Sequence, residues 1–327
     1  MKSKRNINTK EICDQIKKGN ITALSKAITL SESNIDSDQE LANKILAKLK
    51  TKNHDSIRIG ITGVPGAGKS TFIESFGNHI TNLGLKLAVL TIDPSSSVTK
   101  GSILGDKTRM ETLSANKNVF IRPSPASNFQ GGVGKNTRES IFLCESAGYD
   151  IILIETVGVG QNEISVAEMV DFFLLLKISG SGDELQGIKR GIIEMSDLIA
   201  INKCDGDNVK DSIKAKNEFK LALQLFPKKK SNWKPQVLTC SSLTGEGLAE
   251  IWECITNYVN LTKKNNYFYE NRINQNKSWL LQIIDYSLRK SFFNRKSIKI
   301  KLNNLIKKIE EQKISIFEAS RKILSEI

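Results

Sequence analysis

The 327 residues are 39% hydrophobic and 25% charged, ordinary for a soluble protein of one large domain or one domain with helical extensions, and no apolar run approaches the roughly 18 residues of a membrane span. The formal net charge of +13 suits a nucleic-acid partner, but residues 57–261 are balanced in charge and the surplus sits on the flanks without aromatic interleaving, so nucleic acid is not the expected partner. Five widely spread cysteines, none in a C-x-x-C pair, and only two histidines exclude a disulfide framework or a thiolate metal site and leave buried free thiols.

The chain starts on polar sequence, Met1-Lys2-Ser3-Lys4-Arg5-Asn6, with neither an apolar signal core nor a transit pattern, and is expected to be cytoplasmic. Residues 1–56 form an N-terminal helical extension, with Ile12, Ile16, Leu24, Ile28, Leu41, Ile45 and Leu49 at helical spacing and a polar stretch from Ser31 to Gln39 between two helices. Between 57 and 261, seven short apolar runs alternate with helical patterns: Ile57–Thr62, Leu87–Asp93, Val119–Pro123, Tyr149–Glu155, Asp171–Ile178, Asp197–Asn202 and Gln236–Thr239. The alternation predicts an α/β fold, a mostly parallel sheet covered on both faces, with ligands at the carboxyl ends of the strands. Residues 262–327 return to helical spacing, with Trp279, Ile283 and Tyr286, then Leu302, Leu305, Ile306 and Ile309, then Phe317, Ala319 and Ile323.

The first apolar run leads into Gly63-Val64-Pro65-Gly66-Ala67-Gly68-Lys69-Ser70, followed by Thr71 and an amphipathic helix. This is a phosphate-binding loop: its glycines let backbone N–H groups close around phosphates, Lys69 neutralises charge on the β- and γ-phosphates, Ser70 can ligate Mg²⁺, and the helix adds its positive end. Asp93, at the end of the second run, and Asp106, in the glycine-punctuated stretch after it, are candidates for the Mg²⁺ shell or for positioning water. Glu155 ends the fourth run and can hold Mg²⁺ through water, while the Gly158 N–H can sense the γ-phosphate. Val159 follows Gly158, so no glutamine stands where Ras-like enzymes position the attacking water, and slow unassisted hydrolysis is expected.

Asn202-Lys203-Cys204-Asp205 follows the sixth run and selects guanine. The Asp205 carboxylate accepts from guanine N1–H and the exocyclic amino group, a donor pair that adenine lacks. Asn202 is expected to bond the base and neighbouring loops, and the Lys203 stem to lie along the base plane. Ser241, Ser242 and Leu243, after the seventh run, resemble the GTPase loop whose backbone reads guanine O6. The nucleotides implied are GTP and GDP.

Together these residues resemble the methylmalonyl-CoA mutase-associated GTPases, formerly described as lysine/arginine/ornithine transport-system ATPases. The resemblance rests on GVPGAGKST at 63–71, IDPSSS at 92–97, GSILGDKTRM at 101–110, RPSPASNFQGGVG at 122–134, ETVGVGQNE at 155–163, GDELQGIKRGI at 182–192, NKCD at 202–205 and TCSSLTGEGL at 239–248. It implies a P-loop GTPase domain over 57–261, a C-terminal helical arm over 262–327 that dimerises, and a chaperone whose GTP state gates cofactor loading and protection of an adenosylcobalamin-dependent acyl-CoA mutase. It also implies that Lys69, Asp93, Asp106 and Glu155 serve metal binding and hydrolysis, and that Asp183, Gln186 and Lys189 belong to a third switch coupled to the partner. Ser97-Val98 departs from the usual polar pair, and the arm diverges most. A metallochaperone GTPase for nickel enzymes, which wants clustered Cys or His, and a transport-associated kinase are the competing readings.

Overall fold

The computed structural model describes residues 8–49, 55–93, 110–125, 132–156, 162–180 and 190–325. The seven strands form where the apolar runs lie: β1 Ile57–Gly63, β2 Leu87–Asp93, β3 Val119–Pro125, β4 Ile151–Thr156, β5 Phe172–Ile178, β6 Leu198–Asn202 and β7 Gln236–Thr239. They make one sheet in the order β3-β2-β4-β1-β5-β6-β7, and every neighbouring pair is parallel. All carboxyl ends therefore share one edge. The chain steps from β1 out to β2 and β3, returns to insert β4 beside β1, then continues on the other side through β5, so β1 is where the topology reverses and where a ligand crevice opens.

Thirteen helices accompany the sheet among the described residues: α1 Thr9–Lys17, α2 Ile21–Glu32, α3 Asp36–Lys48, α4 Lys69–Asn82, α5 Glu111–Ser114, α6 Gly132–Ser146, α7 Asn162–Ala167, α8 Arg190–Met195, α9 Val209–Leu223, α10 Leu248–Lys264, α11 Tyr267–Asn294, α12 Lys296–Glu310 and α13 Ile316–Leu324. Strand periodicity divides the core between two faces. Ile59, Ile61, Val89, Leu153 and Leu174 pack with Phe72, Phe76 and Ile80 of α4 and with Ile251, Ile255 and Tyr258 of α10. The alternate residues Ala88, Leu90, Ile152, Ile154 and Phe173 pack with α6, α7 and the N-terminal helices, through Ile16, Leu24, Ile28 and Ile45. Helices α1–α3 thus share the core of the second face. The polar stretch from Ser31 to Gln39 is mostly helical, because α2 runs to Glu32 and α3 resumes at Asp36; Asp36 and Asp38 suit a helix N-terminus.

By packing, the chain divides into Met1–Ile273 and Asn274–Ile327. The second unit has its own small core of Ile298, Leu305, Ala319 and Ile323, and leaves Leu280, Leu281, Leu288, Ile300 and Phe317 exposed. No described helix is long and apolar enough to cross a membrane.

Candidate functional site: a phosphate loop tied to a base-reading loop

β1 ends at Gly63 because a side chain cannot follow: a Cβ there would lie 2.3 Å from the Leu176 carbonyl oxygen of β5. Gly68 has φ +85°, and a Cβ on it would meet the Asn202 amide nitrogen at 2.8 Å. The loop between them is open at Pro65 and Gly66 and buried at Ala67, with Val64 half-buried. Helix α4 begins at Lys69 with Gly68 as its cap and no side chain bonded to its first-turn N–H groups. Those donors and the helix dipole face the place a phosphate would occupy.

The Lys69 ammonium donates to the Gly63 carbonyl at 2.7 Å and the Val64 carbonyl at 3.3 Å, so it sits on the loop's own backbone. Burial holds its pKa below the usual lysine value, and the carboxylates of Glu155 and Glu163 pull the other way. Ser70 is half-buried beside it and Thr71 is exposed. Glu155, also half-buried, pairs in register with Ile61 near the end of β4, and the next level is tied by Thr156 Oγ1 donating to Thr62 Oγ1 at 2.9 Å. Asp93 closes β2 at the same edge, opposite Pro125, through its backbone; its side chain lies outside the described residues. Asp106, Gly158, Asp183, Gln186 and Lys189 also lie outside them.

The oxygen donors brought to this edge, the Ser70 hydroxyl and the Glu155 carboxylate, fit a hard cation such as Mg²⁺, which takes oxygen ligands.

On the other side of β1, Asn202 ends β6 and is 1% exposed. Its Nδ2 donates to the Ala67 carbonyl of the phosphate loop at 2.9 Å; its Oδ1 accepts from Ser242 N at 3.0 Å and Ser242 Oγ at 2.8 Å. One amide therefore bolts the phosphate loop to the loop after β7. A second tie runs from Ser75 Oγ of α4 to the Ser242 carbonyl at 2.6 Å. The Asn202 oxygen faces the Ser242 loop, so its bonds in this structure go to neighbouring loops. Lys203 is exposed with φ +60°, and Asp205 is half-buried and accepts from the Ser241 hydroxyl. Ser241 Oγ in turn accepts from Thr244 N at 3.1 Å, which fixes the loop around Asp205. Leu243 is at the loop tip, 82% exposed.

The structure brings Lys69, Ser70 and Glu155 to one side of β1 and Asn202, Lys203, Asp205, Ser241 and Ser242 to the other. Sequence reasoning missed Thr62 and Ser75, which carry no motif signal, and Thr156, which stands inside the ETVGVGQNE stretch but was given no role. It also passed over Glu163, only 2% exposed and acting on Lys69, which stands inside the ETVGVGQNE stretch and could have been found there.

The family model for "Methylmalonyl Co-A mutase-associated GTPase MeaB" matches residues 24–297. The chain is 46% identical over 266 residues, 81% of this chain and 80% of the relative, to GTPase ArgK of Escherichia coli. It is 43% identical over 302 residues, 89% of this chain and 73% of the relative, to the mitochondrial methylmalonic aciduria type A homolog of Mus musculus. A crystal structure described as LAO/AO transport system kinase superposes with a TM-score of 0.75 at 34% identity, covering 98% of both chains. With its phosphate loop at the topological switch of a parallel sheet and a family model spanning most of its length, the chain belongs to the MeaB family of methylmalonyl-CoA mutase-associated GTPases.

Proposed function

We propose that this protein binds and slowly hydrolyses GTP with Mg²⁺, and that its nucleotide state gates cofactor loading and protection of an adenosylcobalamin-dependent acyl-CoA mutase in the cytoplasm. The observation that carries the nucleotide half is the Asn202 bridge, because it ties the glycine-rich turn at Ala67 to the Ser241–Ser242 loop whose Ser241 hydroxyl bonds Asp205. Asp205 accepts the two guanine donors, the Lys203 stem covers the base plane, and the backbone of Ser241, Ser242 and Leu243 reads O6. The backbone from Gly63 to Gly68 cradles the phosphates with Thr71 just behind, and Lys69 leaves the Gly63 carbonyl for the β- and γ-oxygens. Ser70, Asp93 and Glu155 would hold Mg²⁺, which supplies neutralisation of charge on the phosphates. Asp106 and Gly158 serve water positioning and γ-phosphate sensing.

The mutase half is supported by the family's name and by the methylmalonic aciduria relative. In this reading Asp183, Gln186 and Lys189 rearrange between nucleotide states, and the exposed apolar residues of α11–α13, Leu280, Leu281, Leu288 and Phe317 among them, pair two copies in a homodimer. Calorimetry with Mg²⁺ is expected to give GTP binding and weak ATP binding, and a B12-dependent mutase that co-purifies with the chain is expected to accelerate turnover in the wild type but not in Lys189→Ala. Equal affinity for ATP and GTP would sink the guanine assignment; unchanged turnover on adding the mutase would sink the chaperone role.

A further inference from the structure

Asn208 belongs to no motif named above, yet its side chain is bonded in three directions. It ends the 3₁₀ turn Gly206–Asn208, directly after Asp205 and directly before α9. Its Nδ2 donates to the Lys203 carbonyl at 2.7 Å and, more distantly, to Ser212 Oγ at 3.4 Å. Its Oδ1 accepts from Ser179 Oγ at 2.7 Å, and its backbone N–H donates to the Asp205 carbonyl at 3.1 Å. Ser179 stands one residue beyond β5, so a single amide joins the base-reading turn to the end of the neighbouring strand.

The turn needs such a tie. Lys203 has φ +60°, a left-handed conformation that residues with side chains rarely adopt, and it persists only where surrounding bonds over-determine it. One of those bonds is Cys204 N to the Cys240 carbonyl at 3.0 Å; another is Asn208 to the Lys203 carbonyl. Released from the second, Lys203 would relax toward ordinary backbone angles. Its stem would swing off the base plane, and Asp205, two residues on, would turn away from the base edge.

We propose that Asn208 is a positioning residue for guanine recognition, holding Lys203 in its left-handed turn and thereby aiming Asp205 at the base, with Ser179 as its anchor. The inference rests on the guanine reading of Asp205. The site requires an amide, because the residue must donate toward Lys203 and accept from Ser179 at once; a carboxylate does only the second, and an apolar isostere neither. Ser179 also precedes Asp183, the first of the three residues assigned to partner coupling, by four positions in the chain.

The test uses the full chain and a fluorescent GDP analogue displaced by GDP or by IDP, which lacks the exocyclic amino group. Asn208→Ala and Asn208→Asp are both expected to weaken GDP by about tenfold, as loss of one well-made hydrogen bond and its geometry does, and to shrink the GDP-over-IDP preference. Turnover at saturating GTP is expected to stay within about twofold, since the phosphate side is untouched. Ser179→Ala is expected to lower the same preference by about two- to threefold, and it carries the test if the Asn208 variants fail to fold. A wild-type preference retained in Asn208→Asp, or in Ser179→Ala where the Asn208 variants do not fold, overturns the inference, as does an equal loss for GDP and IDP. A wild-type protein that binds GDP and IDP alike overturns the guanine reading itself, and the inference with it.

Discussion

In the proposed reading Lys69 serves binding and Glu155 serves chemistry, and the Glu155 carboxylate acts electrostatically on the Lys69 ammonium. The Lys69 ammonium is already partly desolvated and held on two loop carbonyls, so transferring it to a phosphate exchanges one set of oxygen partners for another. Lys69→Ala is expected to weaken GTP by about ten- to a hundredfold, the scale of a charge-assisted bond, and to slow turnover as well. Glu155→Gln keeps shape and removes the charge proposed for the metal shell; its GTP affinity is expected to stay within about threefold while hydrolysis falls by more than about tenfold. Titration with a fluorescent GTP analogue beside a phosphate-release assay separates the two, and unchanged turnover in both variants excludes this pocket. The phosphate loop was legible because it needs fixed residue types at fixed spacing, and NKCD at the end of β6 could be placed for the same reason. The Asn202 bridge was legible only in part. Its motif announces a base-binding amide, but that the amide holds Ala67 and Ser242 depends on three loops converging from residues 67, 202 and 242. No local pattern encodes that.

At the scale of elements, strand positions were nearly all readable, since strands buried on both faces are continuous apolar runs with little ambiguity. The N-terminal helices were readable as helices, but not as part of the sheet's second core. Their periodicity states which face is apolar and not what it meets. The ties are specific: Glu32 of α2 accepts from Arg122 and from Ser124 Oγ, the latter at 2.6 Å, clamping α2 to the carboxyl half of β3. Helix α6, which packs in the same layer, carries a buried acid in Glu139, 4% exposed, whose pKa burial pushes up to about 7 despite Lys135 at 3.7 Å. The folded state therefore holds this proton more tightly than the unfolded chain, whose glutamates titrate near 4.5. Glu139 contributes a stability that is fully present below that value and is lost as pH rises through about 7. Glu139→Gln is expected to be nearly neutral at pH 4.5 and to stabilise the protein at pH 8 by up to about 3 kcal/mol, less what the Lys135 contact returns. Urea unfolding at the two pH values checks it; equal stability of both proteins at pH 8 contradicts it.

At the largest scale, the unit Met1–Ile273 has a polarity that follows from its seven parallel strands. The carboxyl edge carries Gly63, Glu155, Asn202 and the loop after β7, while the amino edge is closed by aspartates that each precede a strand and cap its neighbour. Asp150 accepts from Lys86 N at 2.8 Å, Asp171 from Arg58 N at 2.8 Å and Asp197 from Phe173 N at 2.9 Å. At the centre of that edge Arg272, from the first turns of α11, donates to both Asp171 oxygens at 2.8 and 2.6 Å and to the Ser56 carbonyl at 2.6 Å. It also lies over the Phe268 ring at 4.5 Å, beside the Arg58–Glu145 pair. Asp171 is nearly without solvent, so removing the guanidinium strands a buried carboxylate rather than deleting a surface contact. Arg272→Ala is expected to cost about 3 kcal/mol or more in urea unfolding. Because the cluster and the phosphate loop lie at opposite ends of the same strands, the variant is expected to bind a fluorescent GTP analogue within about twofold of wild type where both are folded. A drop in affinity parallel to the loss of stability would mean that the two edges are coupled through β1, the strand that carries Arg58 at one end and Gly63 at the other.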